Sequence, residues 1–153
     1  MPDPATGTES AQARAASIRY IETSALLSAL LEQEPAAKRE LRAAGHRVTS
    51  ALTVAESYRA IVRARASGRL DAAQERAVVR ALQTFLARCD LVAVTDDVLA
   101  RAGRPFPAEP IRTLAAIHLA TADILGDPPP LVTIVTRDAR VRENARAMGF
   151  ATG

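Results

Sequence analysis

Three acidic residues stand where this chain could do chemistry: Glu22, Glu56 and Asp138. Glu22 closes the apolar run Ile18-Arg-Tyr-Ile21 just ahead of the hydroxyl pair Thr23-Ser24. Glu56 lies in the first turns of a helix that follows a second apolar run, and Asp138 follows Leu131-Val-Thr-Ile-Val-Thr136. In open α/β folds ligands bind beyond the carboxyl ends of the strands, so acids at these corners lie where a site is expected. Each acid also has an ordinary reading. Glu22 and Asp138 suit helix N-termini, and Glu56 with Arg59 and Arg63 forms one helical stripe that reads as a solvated ion-pair face.

Taken together the three say more. Parallel strands that deliver several carboxylates to one rim crowd like charges, at about 4 kcal/mol for a pair 4 Å apart and an effective dielectric near 20. A cation must offset that. With no His or Cys in the set, a hard divalent ion such as Mg²⁺ or Mn²⁺ is the natural partner. An ion of that kind polarises a phosphoryl oxygen and lowers the pKa of bound water, which is the chemistry of phosphodiester hydrolysis.

The elements that must position these residues are legible in the apolar periodicity, where short β-branched runs alternate with helical stretches, the pattern of α/β architecture with a mainly parallel sheet. Strands are expected at Ile18 to Ile21, Arg47 to Thr49, Leu91 to Val94 and Leu131 to Val135, with a last edge near Phe150. Helices are expected at about Ser24 to Gln33, Pro35 to Ala44, Leu52 to Ala66, Asp71 to Arg88, Asp96 to Ala102, Thr113 to Leu125 and Ala139 to Met148. Gly45 and Gly68 read as residues that end the second and third helices, and Asp71 as a cap on the fourth. Prolines make the segment before Thr113 extended, and Asp127-Pro-Pro-Pro130 forces a stiff turn.

The 153 residues suit one compact domain. Residues 1–16, rich in small and polar residues, read as a disordered tail ahead of a single domain over 17–153. Cys89 is the sole cysteine, which excludes a disulfide framework and a zinc cluster, reads as a small buried apolar residue, and fits a reducing cytosol. No apolar run is long enough to span a bilayer, so a cytoplasmic location is expected. The net charge is only +3, and 19 of the 20 basic residues are arginine, which permits a nucleic-acid partner without arguing strongly for one.

Tyr20-Ile-Glu-Thr-Ser-Ala-Leu, Val48-Thr-Ser-Ala-Leu-Thr-Val-Ala-Glu56, Arg112-Thr-Leu-Ala-Ala-Ile-His-Leu-Ala-Thr121 and Leu131-Val-Thr-Ile-Val-Thr-Arg-Asp138 resemble, in order, the four signature blocks of the PIN-domain family. The nearest branch is the VapC-like ribonuclease toxins of type II toxin-antitoxin pairs, and the resemblance covers about Ile18 to Phe150. It implies a three-layer α/β/α sandwich with a short, mainly parallel central sheet. It also implies Mg²⁺ or Mn²⁺ on clustered acids, an RNA substrate, a homodimer, and a cognate antitoxin as inhibitor. Carried over, Glu22 stands where the family usually has Asp. Glu56 and Asp138 match later acids, and Ser24 and Thr136 match accompanying hydroxyls. Glu22 and Asp138 are the expected metal ligands.

One departure is decisive. The third block of the family normally carries an acid where this chain has Ala115, between Leu114 and Ala116. Asp123 lies roughly 12 Å further along the same helix, too far to replace it, and Glu109 sits in a proline-rich segment with no reason to enter the site. Two functions remain open: a metal-dependent endoribonuclease with reduced or lost activity, or a non-catalytic module that keeps antitoxin or RNA binding. A third reading, caps in an unrelated α/β domain, requires Glu22 and Asp138 to lie far apart.

His118 is expected to fill or edge the core and to take no catalytic part; His46 is expected at the surface. Arg112 and Arg137, near the presumed rim, are candidates to contact RNA phosphates, against the plainer reading of surface salt bridges. The stretch from Leu26 to Leu31 is expected to leave an apolar surface for dimer or antitoxin contacts.

Overall fold

The structure, a computed structural model, describes residues 17–153; the expected tail over 1–16 lies outside the described residues. Five strands, β1 (Ile18–Ile21), β2 (His46–Ser50), β3 (Asp90–Val92), β4 (Val132–Val135) and β5 (Ala151–Thr152), form one sheet in the order β3-β2-β1-β4-β5. Every adjacent pair is parallel. Seven α-helices join them among the described residues: α1 (Thr23–Leu30), α2 (Pro35–Arg42), α3 (Ala51–Ala66), α4 (Ala72–Leu86), α5 (Asp96–Ala102), α6 (Thr113–Ile124) and α7 (Ala139–Ala147). A 3₁₀ turn at Pro129–Leu131 is what the proline run becomes.

Side-chain alternation along the central strands divides the core into two layers. Tyr20, Val132 and Ile134 point to the side packed by α5, α6 and α7. Ile21 and Val135 point to the side packed by α1 to α4. Both faces of the sheet are therefore covered, which gives the expected three-layer sandwich and explains why these strands are short and rich in Val and Ile.

The chain leaves β1 in one direction, toward β2 and β3, and returns on the other side as β4. The order thus reverses between β1 and β4, and the crevice beyond their carboxyl ends is the switch point at which such sheets bind ligands. Glu22 extends the β1–β4 ladder by one bond, its N–H donating to Val135 O at 3.0 Å. Glu22 and the segment Thr136 to Asp138 are consequently fixed side by side.

One expectation changes. Gly45 does not end α2, which stops at Arg42. At φ +135 it lies where a Cβ would stand 2.9 Å from Ser17 O, so a close approach to the start of β1 is what requires glycine there. Gly68, at φ +75, does turn the chain after α3, and Asp71 caps α4 through a reciprocal capping box with Gln74. Of the apolar stretch from Leu26 to Leu31, Leu26 is fully buried in the fold, while Leu27, Leu30 and Leu31 are half-buried and keep part of an apolar face at the surface.

Cys89 is half-buried rather than buried, its thiol pushed up to about 11 by burial, and His46 is exposed beside Asp90 at 2.8 Å. Among the described residues no helix is long and apolar enough to cross a membrane.

Candidate functional site

Glu22 is 6% exposed, yet it is a carboxylate, so its partners decide whether that burial is tolerable. Oε1 accepts the N–H of Ser24 at 3.1 Å, capping α1. Oε2 accepts the hydroxyls of Thr136, at 2.8 Å, and of Ser24. The two hydroxyl residues expected to support the site thus hold one carboxylate between the ends of β1 and β4. Thr136 Oγ1 also accepts the N–H of Asp138 at 3.0 Å, and Ser24 Oγ that of Arg137 at 2.8 Å. The Glu22 carboxylate and the backbone N–H of Asp138 share a single threonine hydroxyl, so the reading that needed the two residues far apart fails.

Asp138 caps α7, its Oδ1 accepting the N–H groups of Arg140 and Val141 at 2.8 and 3.1 Å. Its Oδ2 accepts nothing from the described residues. Glu56 is held differently. Its Oε1 accepts from Thr23 Oγ1 at 2.8 Å and from His118 Nε2 at 2.7 Å. Desolvation pushes the Glu56 carboxyl up, but the bond and charge of His118 and the bond from Thr23 outweigh it and leave the group below its ordinary value. The ion-pair stripe with Arg59 and Arg63 does not form, because Glu56 turns instead to the buried imidazole.

His118 fills the core as expected, with contacts that the sequence does not announce. It is indeed buried, at 1% exposure, but it is wired to the acids. Nε2 lies 2.7 Å from Glu56 and 3.8 Å from Glu22, and Nδ1 lies 2.8 Å from the hydroxyl of Tyr20. An ionised carboxylate only accepts, so the bond to Glu56 places a proton on Nε2. Burial, together with the negative charges of Glu22 and Glu56, pushes the Tyr20 phenol strongly upward, so it stays a donor. Tyr20 and Thr23 have no site role in the sequence reading. Their one signal is position: Tyr20 lies two residues before Glu22 and Thr23 directly after it.

Ala115 is half-buried in the first turn of α6, three residues before His118 and therefore on the same side of that helix. Its methyl packs against the apolar layer that contains Tyr20 and Ile117 and brings no carboxylate. Asp123 instead pairs with Arg101 at 2.7 Å. Glu109 is consumed by its own loop, accepting from the N–H groups of Phe106 and Ile111. Neither fills the gap.

Of the two arginines near the rim, Arg137 is committed. Its Nε and Nη1 reach Glu34 and Glu40 at 2.8 and 2.9 Å, and these bonds, Glu34 foremost, raise its pKa. The salt-bridge reading holds, and Arg137 locks the loop before Asp138 onto α2 instead of reaching for phosphate. Arg112, exposed at the N-cap of α6, has no side-chain partner among the described residues and stays free for an anion.

The hard oxygen donors suit Mg²⁺ or Mn²⁺ by type, but their arrangement does not. Among the described residues no three His, Cys, Asp or Glu side chains gather closely enough to hold a metal ion. Both oxygens of Glu22 are already occupied by protein donors, and the position of Ala115 contributes none. The residues present do not fit a complete divalent-ion site.

Against known proteins, the PIN-domain family model matches residues 19–147. The curated Ribonuclease VapC46 of Mycobacterium tuberculosis (strain ATCC 25618 / H37Rv) is 39% identical over 135 residues, covering 86% of this chain and 93% of the relative. Ribonuclease VapC35 of Mycobacterium tuberculosis (strain CDC 1551 / Oshkosh) is 36% identical over 140 residues with the same coverage. Among solved structures, VapBC2 from Rickettsia felis bound to a promoter DNA fragment superposes with a TM-score of 0.63 at 12% identity, covering 89% of this chain and 97% of that one. VapBC-1 from nontypeable Haemophilus influenzae gives 0.57 at 14% identity, covering 89% and 96%. At such identities the two structures speak for the fold alone.

Proposed function

The chain belongs to the PIN-domain family, with VapC ribonucleases as its relatives, and from that premise we propose that it is a VapC-type toxin: an endoribonuclease whose hydrolysis is curtailed by the acid missing at Ala115. The observation that carries this reading is that the Thr136 hydroxyl binds both the Glu22 carboxylate and the Asp138 backbone N–H, which sets the two acidic residues side by side in the switch-point crevice. Acids held that way, in a family whose curated relatives are ribonucleases, point to the RNA phosphodiester as substrate.

The chain's own residues divide the work. Thr136 and Ser24 hold the Glu22 carboxylate at the end of β1, and the imidazole of His118 keeps Glu56 ionised by donating from Nε2. Asp138, with Oδ2 unengaged, is available to take a proton from a water attacking the phosphorus. Arg112 is the cation placed to meet a phosphate at the mouth. Mg²⁺ or Mn²⁺ is the cofactor that the family resemblance implies; because the acids here do not complete a site for it, no step is routed through the ion. Loss even of a group that only supports a metal ligand typically costs about 10- to 100-fold in affinity or activity, so loss of a direct ligand sets activity low.

The partner proposed is a cognate antitoxin, since the solved relatives are toxin-antitoxin complexes, and the toxin itself is proposed to dimerise. The second reading, a non-catalytic PIN module that retains antitoxin or RNA binding, is favoured by one observation: no three acids gather as a ligand set. Cleavage of single-stranded and structured RNAs with Mg²⁺ or Mn²⁺, compared between the chain and Asp138→Asn, separates the two. Slow cleavage abolished by Asp138→Asn supports the enzyme. RNA binding without cleavage supports the module.

A further inference from the structure

Beyond the acids, a groove of about 320 Å³ runs between α1 and the second half of α3, and nothing above uses it. Its two walls are helix faces that begin at the site. Thr23, Leu27 and Leu31 follow one another at i, i+4 and i+8, and Glu56, Ala60, Arg63 and Ser67 at i, i+4, i+7 and i+11. The walls are pinned together at their start by the Thr23 Oγ1 bond to Glu56, and the groove begins one helical turn further along each wall, at Leu27 and Ala60. Buried Ala60 and Ala64 keep its floor low, and half-buried Leu27 and Leu31 make one side apolar.

The far end is built by a turn. Gly68 at φ +75 reverses the chain after α3, and the N–H groups of Arg69 and Leu70 both donate to Ala64 O, at 2.9 and 3.2 Å. This fold-back brings Arg69 to the groove beside Arg63. Both arginines are exposed, and among the described residues neither pairs with a carboxylate. The one acid in the lining, Glu32, accepts from Ser28 at 3.1 Å.

We propose that this groove carries the RNA strand away from the acidic site, with backbone phosphates on Arg63 and Arg69 and a base against Leu27 and Leu31; the inference rests on the ribonuclease reading. Guanidinium forks suit phosphate oxygens. The aliphatic wall takes the part that aromatic platforms play in other single-strand binders, in a chain with no Trp and only 3% aromatic residues. Because the wall presents no ring of donors and acceptors to base edges, it holds strands with little preference for sequence.

The test is equilibrium binding of a labelled single-stranded oligoribonucleotide, followed by fluorescence anisotropy across a salt series in EDTA, which suppresses cleavage. Arg63→Gln with Arg69→Gln is expected to weaken binding and to flatten the log–log salt slope by about 1.4, two charges at about 0.7 each. Arg76→Gln with Arg80→Gln removes the same charge from the exposed face of α4 and is expected to leave the wild-type slope. An unchanged slope in the groove variant, or equal flattening in both, overturns the proposal while leaving the ribonuclease reading in place. If the groove variant keeps its RNA binding and loses the antitoxin instead, the groove is a protein dock and the proposal is again overturned. If the wild-type chain binds no RNA, the ribonuclease reading falls first and the groove assignment with it.

Discussion

At the scale of single residues, buried Tyr20 and His118 join the acidic rim to the core. The phenol, the imidazole and the Glu56 carboxylate form a continuous relay of 2.8 and 2.7 Å bonds. Replacing His118 by leucine keeps the volume and removes every partner. Depriving the buried phenol of its imidazole partner and leaving the carboxylate only its Thr23 bond is expected to cost about 1–3 kcal/mol in urea unfolding; a loss near zero would mean the relay does not hold the site. Glu56 also gives a pH signature. Its folded pKa is depressed below the ordinary 4.5, burial notwithstanding, because of His118 and Thr23. Its stabilisation is therefore fully present above the unfolded value and is lost as pH falls through the folded one. The melting temperature of Glu56→Gln is expected to lie below wild type at neutral pH, with the gap closing in acid. A gap that persists or widens in acid would contradict the assigned direction.

Elements were the most legible level of this chain, and the reasons differ from one to another. β1 is bounded as the apolar run predicts, because Ile18 to Ile21 lies in the centre of the sheet and both faces are buried. β3 and β5 are less regular, since edge strands owe less to their own pattern than to the neighbour they pair with. Asp138 and Glu22 are both helix caps at the carboxyl ends of their strands; sequence presented cap and site acid as rival readings, and this geometry is compatible with both. His118 is the core histidine its helix position suggests, but its bonds to Glu56 and Tyr20 were not legible, because spacing gives burial and not the polar partner met there. The Glu56 stripe misled because helical spacing gives a face but not what covers it. One contact between elements sets the approach to α6. Fully buried Asn144 of α7 accepts from Ala108 N–H at 2.8 Å and donates to Ala108 O at 2.9 Å, clamping the proline-rich segment ahead of Arg112. Asn144→Ala is expected to cost about 1–3 kcal/mol by leaving buried backbone unpaired. It should also raise proteolysis within residues 104–110; equal protection in wild type and variant would contradict the clamp.

For the whole molecule, the parallel sheet and its reversal between β1 and β4 account for where the acids meet, and family membership accounts for what they are expected to act on. What sequence and fold together leave exposed is the gap at Ala115, one turn before His118. The central claim is that this chain carries the frame of a PIN ribonuclease with one carboxylate missing. The most direct measurement is RNA cleavage in Mn²⁺ or Mg²⁺ by the chain, by Ala115→Asp, and by Ala115→Asp with Asp138→Asn. The account predicts that Ala115→Asp raises the cleavage rate by at least about tenfold, that EDTA removes the gain, and that adding Asp138→Asn abolishes it. Failure of Ala115→Asp to cleave any of a broad panel of RNAs, or cleavage indifferent to Asp138→Asn, would contradict it.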